Sequence, residues 1–293
     1  MIPKLDLDDF PTLKLKHVFI KDKKRLLRTI NTIIKDGCNS LQVVTDFDLT
    51  LTKQHVNGKQ VLSSFGIFSK CKQLPETYEI ESTRLYRKYR PIEIDPNLSI
   101  DIKTKAMKDW MIAAEQILKG IPFDASEIQE VTKIYGTDLR DGVKELFEKL
   151  QLLKVPVLVF SAGLGDVVQA ILKNEGVLFD NVKIISNFLK FDGGKIGGFQ
   201  NKRLIHVFNK NEQAIEEKYF KVLERRKNVL LMGDSIGDAS ILDGMVDTCA
   251  VLKIGFLYDH VESSLSSYME TFDIVLVDDQ TMQVPIDILQ QLS

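Results

Sequence analysis

The sequence predicts an α/β protein: a doubly wound parallel sheet with a helical cap inserted after its first strand. Three observations predict it. Short β-branched apolar runs alternate with helical patterns along most of the chain, the mark of parallel strands covered on both faces. Several of these runs end in acids, glycines or a hydroxyl residue, and ligand crevices in open α/β sheets lie at strand carboxyl ends. Residues 54–135 break the alternation and read as helices, with no convincing strand.

The elements follow in order. Residues 22–36 carry Leu26, Leu27, Ile30, Ile33 and Ile34 at helical spacing. After Gly37 comes the first buried strand, Leu41-Gln42-Val43-Val44-Thr45. Helical segments then cover residues 78–89, 99–118 and 126–135, set over the crevice. Helical patterns at 143–152 and 167–173 flank a second strand at 155–160, whose Pro156 is tolerated near the strand start. Further strands are expected at 182–186, 228–232 and 273–277. Phe191-Asp192-Gly193-Gly194-Lys195 reads as a hairpin, because Asp-Gly and Gly-Gly suit tight primed turns. The expected division is a catalytic core of residues 1–53 and 136–293, and a cap of residues 54–135.

The 293 residues are enough for one large domain or for a core with an inserted second unit. Apolar content is 44% and charged content 27%, as in soluble globular proteins. The net charge of −2 gives no broad basic field for a nucleic-acid polymer or an anionic membrane. No run approaches the length of a membrane span, and residues 1–10 are acidic without the apolar core of a signal peptide. Cys38, Cys71 and Cys249 are scattered and read as reduced thiols of a cytoplasmic protein. His17, His55, His206 and His260 form no metal spacing. The expected partner is a small molecule, and a monomer is expected.

The chemistry gathers at three strand ends. Asp46-Phe47-Asp48-Leu49-Thr50 follows the first strand. Two carboxylates so close repel each other unless a cation lies between them. Ser161-Ala162-Gly163-Leu164-Gly165-Asp166 follows the second strand, where a hydroxyl and bare amides suit an anion. Gly233-Asp234-Ser235-Ile236-Gly237-Asp238 follows the strand at 228–232. Singly, each has a plain reading: an Asx-turn, a helix cap, a solvated first-turn acid. Together they predict an oxygen-ligand site for a hard cation, and Mg²⁺ fits carboxylates, waters and a phosphate oxygen. Phosphoryl transfer also needs a protein cation, and Lys210 is one lysine among many that could supply it.

These motifs, with the longer strings Thr45-Asp46-Phe47-Asp48-Leu49-Thr50-Leu51, Pro91-Ile92-Glu93-Ile94-Asp95-Pro96 and Ile205-His206-Val207-Phe208-Asn209-Lys210, resemble the cytosolic 5'-nucleotidase III (pyrimidine 5'-nucleotidase) family of the haloacid dehalogenase superfamily. The resemblance spans the chain from about residue 26 onward. It implies Mg²⁺-dependent hydrolysis of nucleoside 5'-monophosphates through an aspartyl-phosphate. Asp46 would be the nucleophile and Asp48 the general acid and base. Asp46, the Asp48 carbonyl and Asp234 would hold the metal, with Asp238 behind them orienting the ligands or Lys210. Ser161, the Ala162 amide and Lys210 would bind phosphate, and Glu93 would contact the nucleobase.

The cap departs from the family pattern. Trp110-Met111-Ile112-Ala113-Ala114-Glu115 lacks the family's aromatic at Met111 and its hydroxyl at Ala114. Val61-Leu62-Ser63-Ser64 replaces another family segment, although Phe65 still offers a ring; Trp110 reads better as core. CMP, UMP and 7-methyl-GMP all remain open as substrates. The rival readings are a phosphatase or phosphotransferase of the same fold acting on another small ester, and a catalytically silent binding protein.

Overall fold

The structure, a computed structural model, describes residues 4–95, 97–136, 138–210, 226–242 and 249–292. Pro96 and Asn211, adjoining or within the motifs above, lie outside them. The strands are β1 (Val18–Phe19), β2 (Leu41–Thr45), β3 (His55–Val56), β4 (Lys59–Gln60), β5 (Val157–Leu164), β6 (Val182–Asn187), β7 (Leu189–Asp192), β8 (Lys195–Phe199), β9 (Asn228–Gly233), β10 (Ala250–Leu257) and β11 (Ile274–Val277). The α-helices are α1 (Lys23–Asp36), α2 (Ser64–Phe68), α3 (Glu76–Ile94), α4 (Ile100–Leu118), α5 (Ser126–Tyr135), α6 (Val143–Leu152), α7 (Gly165–Asn174), α8 (Val261–Thr271) and α9 (Gln283–Gln290).

Among the described residues, seven strands form the main sheet in the order β1-β11-β10-β9-β2-β5-β6. All pair in parallel except the short edge strand β1. Alternate side chains of the central strands enter different apolar clusters. Val43, Val157, Val159, Leu230 and Met232 join the large core on one face. Val44, Leu158, Phe160, Val229 and Leu231 pack on the other. A sheet buried on both faces explains why these strands read as continuous apolar runs.

Three differences from the sequence reading bear on function. First, β5 continues through Ser161 to Leu164, with a register shift between Phe160 and Leu164, so Ser161 sits in a strand and not in a turn. Second, the stretch read as purely helical opens with the ribbon β3–β4, joined by Asn57 and Gly58 in left-handed conformations. Two-residue strands are too short for any hydrophobic period to register. Third, β10 escaped notice because Lys253 and Gly255 interrupt its apolar pattern.

α3 runs past its internal Pro91 to Ile94. α3 and α4 pack on each other around Leu85, Tyr89 and Met107, and Phe208 of the core loop joins that cluster. α2 and α5 instead contact α7 of the core. The hairpin β7–β8 turns through Gly193 and Gly194, at φ 56° and 76°, the left-handed values its tight turn requires. Cys38, Cys71 and Cys249 are free.

Candidate active site

The parallel ladder extends to the first acid: the Asp46 amide donates to the Met232 carbonyl at 3.0 Å. β2, β5 and β9 are neighbours, so their carboxyl ends converge. Asp46, Asp48, Ser161, Ala162, Lys210, Asp234, Asp238, Phe65 and Glu93 all line one cavity of about 510 Å³. Lys210, far from the acids in sequence, is buried between two of them. Its Nζ donates to Asp46 Oδ1, and to Asp238 Oδ1 at 2.8 Å. Asp238 Oδ2 accepts from the amide and hydroxyl of Ser235 at 3.0 and 2.7 Å. One carboxylate oxygen each from Asp46, Asp234 and Asp238 lie within 4.8 Å of one another.

So compact a set of acids shifts proton affinities. Burial, with repulsion from Asp238 and Asp48 and against the pull of Lys210, raises the Asp46 carboxyl to about 7. Burial, then repulsion from Asp238 and Asp46, raises Asp234 well above the usual carboxylate range. Burial works against the Lys210 charge, but Asp238 and Asp46 outweigh it and raise its pKa. These oxygens are hard donors, and their repulsion is relieved by a divalent cation; the residues present fit a divalent metal.

Asp48 has a different environment. Its carboxylate accepts from the Ser64 amide at 2.7 Å and the Ser64 hydroxyl at 2.6 Å. The Leu164 amide donates to the same hydroxyl at 3.1 Å. Burial raises the Asp48 pKa, and the Ser64 bonds oppose it. Gly163 makes the contact possible, because a Cβ there would lie 2.1 Å from Ser64 Oγ and 2.7 Å from Asp48 Oδ2. Ser161 is buried, and its hydroxyl accepts the Gly163 amide at 2.9 Å.

Several contributors escaped the sequence reading. Ser64 appeared only as part of a replaced family segment. Arg140 is 1% exposed; it donates to the Thr50 carbonyl at 2.7 Å, to Leu49 at 2.6 Å and to the Asp279 carbonyl. It thereby pins the loop after Asp48, where Leu49 adopts φ 61°. Tyr268 donates to the Asp234 carbonyl at 2.6 Å. On the helical wall, Arg90 donates to Glu93 at 2.6 Å. Trp110, which reads as core, also borders the cavity and stacks on Tyr89 at 5.8 Å. Met111 is 9% exposed, joins the main core and still borders the cavity, as does Ala114.

A family model described as pyrimidine 5'-nucleotidase (UMPH-1) matches residues 49–293. The chain belongs to this pyrimidine 5'-nucleotidase family. A Drosophila melanogaster protein named 7-methylguanosine phosphate-specific 5'-nucleotidase is 46% identical over 99% of this chain and 92% of its own length. The human protein of the same name is 37% identical over 97% of this chain and 95% of its own. Among solved structures, cytosolic 5'-nucleotidase IIIB bound to cytidine superposes with a TM-score of 0.94 at 46% identity, covering 98% of this chain and 97% of the other. A phosphoserine phosphatase, at 18% identity, a TM-score of 0.52 and coverage of 87% and 99%, shares the fold. The family member is thus a 5'-nucleotidase, a phosphoric monoester hydrolase with a haloacid-dehalogenase-like α/β fold. Among the described residues, no helix is long and apolar enough to cross a membrane.

Proposed function

We propose that this 5'-nucleotidase uses Mg²⁺ and an aspartyl-phosphate on Asp46 to cleave pyrimidine nucleoside 5'-monophosphates, 7-methyl-GMP, or both. The observation that carries this reading is the joint placement of Asp46, Asp234 and Asp238 within 4.8 Å, with Lys210 bridging Asp46 and Asp238.

Asp46, Asp234 and the Asp48 carbonyl would hold the ion. Bound there, Mg²⁺ would neutralise the paired acids and withdraw charge from the phosphoryl oxygens. Asp238 is already engaged by Lys210 and Ser235, so it orients the site from behind. Lys210, Ser161 and the Ala162 amide bind the phosphoryl group. Asp46 attacks phosphorus as a carboxylate. Asp48, its proton affinity raised by burial, protonates the leaving 5'-oxygen and then takes a proton from the attacking water. The unequal surroundings of the two acids support this division of roles.

Residues 54–135 act as a cap over residues 1–53 and 136–293. Support comes from α3 and α4, which pack on each other in a small apolar cluster that Phe208 of the core joins, and which line the cavity's wall. Glu93 reads the base, with Phe65 and Trp110 as rings beside it. A relative named putative cytosolic 5'-nucleotidase 3 and three free thiols support a cytosolic setting.

The test is phosphate release from CMP, UMP, 7-methyl-GMP, AMP and GMP, with Mg²⁺ and after its removal. Selective, Mg²⁺-dependent turnover of the first three supports the reading. Equal rates on all five would remove the base-reading role.

A further inference from the structure

The helical wall of the cavity carries an ion pair, of which the reading above uses the carboxylate and leaves the guanidinium without a role. Arg90 Nη1 donates to Glu93 Oε2 at 2.6 Å, across one turn of α3. The two side chains are only 33% and 13% exposed, and both border the cavity. At that burial the pair is screened less than a surface pair of the same spacing. Its neighbours on the wall include Tyr86, Trp110 and Met111, none of them charged. The Arg90 charge is also felt by Asp234, so its field extends toward the acids. Among the described residues lining the cavity, the other formal cation is Lys210, and that charge is held by Asp46 and Asp238.

We propose that Arg90 is a specificity-determining residue: its pairing with Glu93 cancels the negative charge at the base end of the cavity and restrains preference for a cationic base over a neutral one. The inference rests on the reading of Glu93 as the base contact. A lone carboxylate in a half-buried pocket attracts a positively charged ring such as 7-methylguanine by direct Coulomb interaction. A carboxylate within an ion pair keeps lone pairs for hydrogen bonds but exerts little net field. A neutral amino group, as on cytosine, needs only the lone pair. A cationic ring loses its charge advantage and also meets the guanidinium, which is selection by a repulsive element.

The test compares kcat/KM for 7-methyl-GMP and CMP in wild type, Arg90→Met and Arg90→Lys. Each value is normalised to the same protein's kcat/KM on 4-nitrophenyl phosphate. Arg90→Met should raise the 7-methyl-GMP to CMP ratio about tenfold, the scale of one opposing charge removed at short range. Arg90→Lys should keep the wild-type ratio within about twofold, because the charge remains. Thermal melts establish folding, and Arg90→Gln replaces Arg90→Met should the methionine variant not fold. An unchanged or lower ratio in the neutral variant overturns the proposal, as does an equal shift in Arg90→Lys. Glu93→Gln separates the two readings. Equal losses on nucleotides and aryl phosphate would overturn the base contact itself. Selective loss on nucleotides, with no ratio change in Arg90→Met, would overturn the Arg90 role alone.

Discussion

Ser64 clamps Asp48: its amide and its hydroxyl each donate to a different oxygen of that carboxylate, at 2.7 and 2.6 Å. The partners come from opposite sides of the β3–β4 ribbon. Ser64 therefore fixes the direction of the second acid while Lys210 holds the first. Two carboxylates two residues apart acquire different surroundings by this means, and different surroundings are what separate their proton affinities.

Ser64→Ala removes the hydroxyl bond and leaves the amide bond in place. The lost bond had opposed the burial that raises the Asp48 pKa, so the carboxyl should hold its proton to higher pH. The alkaline limb of the kcat profile should move upward, and kcat should fall about tenfold, matching the loss of one bond to a charged group. KM should change little. An alkaline limb that stays in place or moves down would show that Ser64 does not tune Asp48.

Asp46→Asn should reduce turnover to background while the fold survives. The amide is nearly isosteric but is a poor nucleophile toward phosphorus. Rapid-quench labelling should place phosphate on Asp46 in the wild type and nowhere in the variant. A phosphoenzyme on any other residue would refute the assignment.

Metal removal has a pH signature. The folded protein holds the Asp46 proton to about pH 7, whereas an unfolded aspartate releases it at about 4. A raised folded pKa stabilises fully below the unfolded value, and that contribution is lost as pH rises through the folded one. Metal-free protein thus loses this contribution between those limits, and Asp234, also raised, adds to the loss. Mg²⁺ takes the place of the protons, so the Tm gain on adding it should grow as pH rises through this window. His206, which burial lowers to about 4, acts in both samples and cancels in the difference. A Tm gain independent of pH would contradict the coupled-acid account.

The strand-end acids were legible because charge directly after a buried apolar run is costly and therefore conspicuous. Asp46 and Asp234 show that contrast, and Asp238 became conspicuous only through its joint occurrence with them at the strand ends. Lys210 was legible only through the family's motif, because nothing local distinguishes one lysine from the chain's others. Arg140 was not legible. It reaches the Thr50 carbonyl across 90 residues, and a lone arginine before a helix reads as surface. Arg90 and Glu93 have the spacing of an ordinary solvent-facing pair; the cavity around them exists only once α3 packs on α4. Trp110 was legible only in part, as core, for a related reason. It packs against Tyr89 and faces the cavity at once, and no sequence pattern separates a core ring from a ring with one open face.

That open face supports a last prediction. Trp110 stacks on Tyr89 at 5.8 Å with 13° between the ring planes, and meets Tyr86 edge-on at 6.2 Å. The ring is thus held in orientation before any ligand arrives, so little entropy remains to be lost when a base stacks on it. Met111, by contrast, lies mostly in the core and offers no ring. Trp110→Leu should therefore lower kcat/KM for nucleotides by about ten- to a hundredfold, the range for one base–aromatic stack. Hydrolysis of 4-nitrophenyl phosphate, which has no base to place, should fall much less. The same variant weakens the α3–α4 cluster, so its Tm must be measured alongside. A matched loss on both substrates would mean that Trp110 supports the cap's packing and does not hold the base.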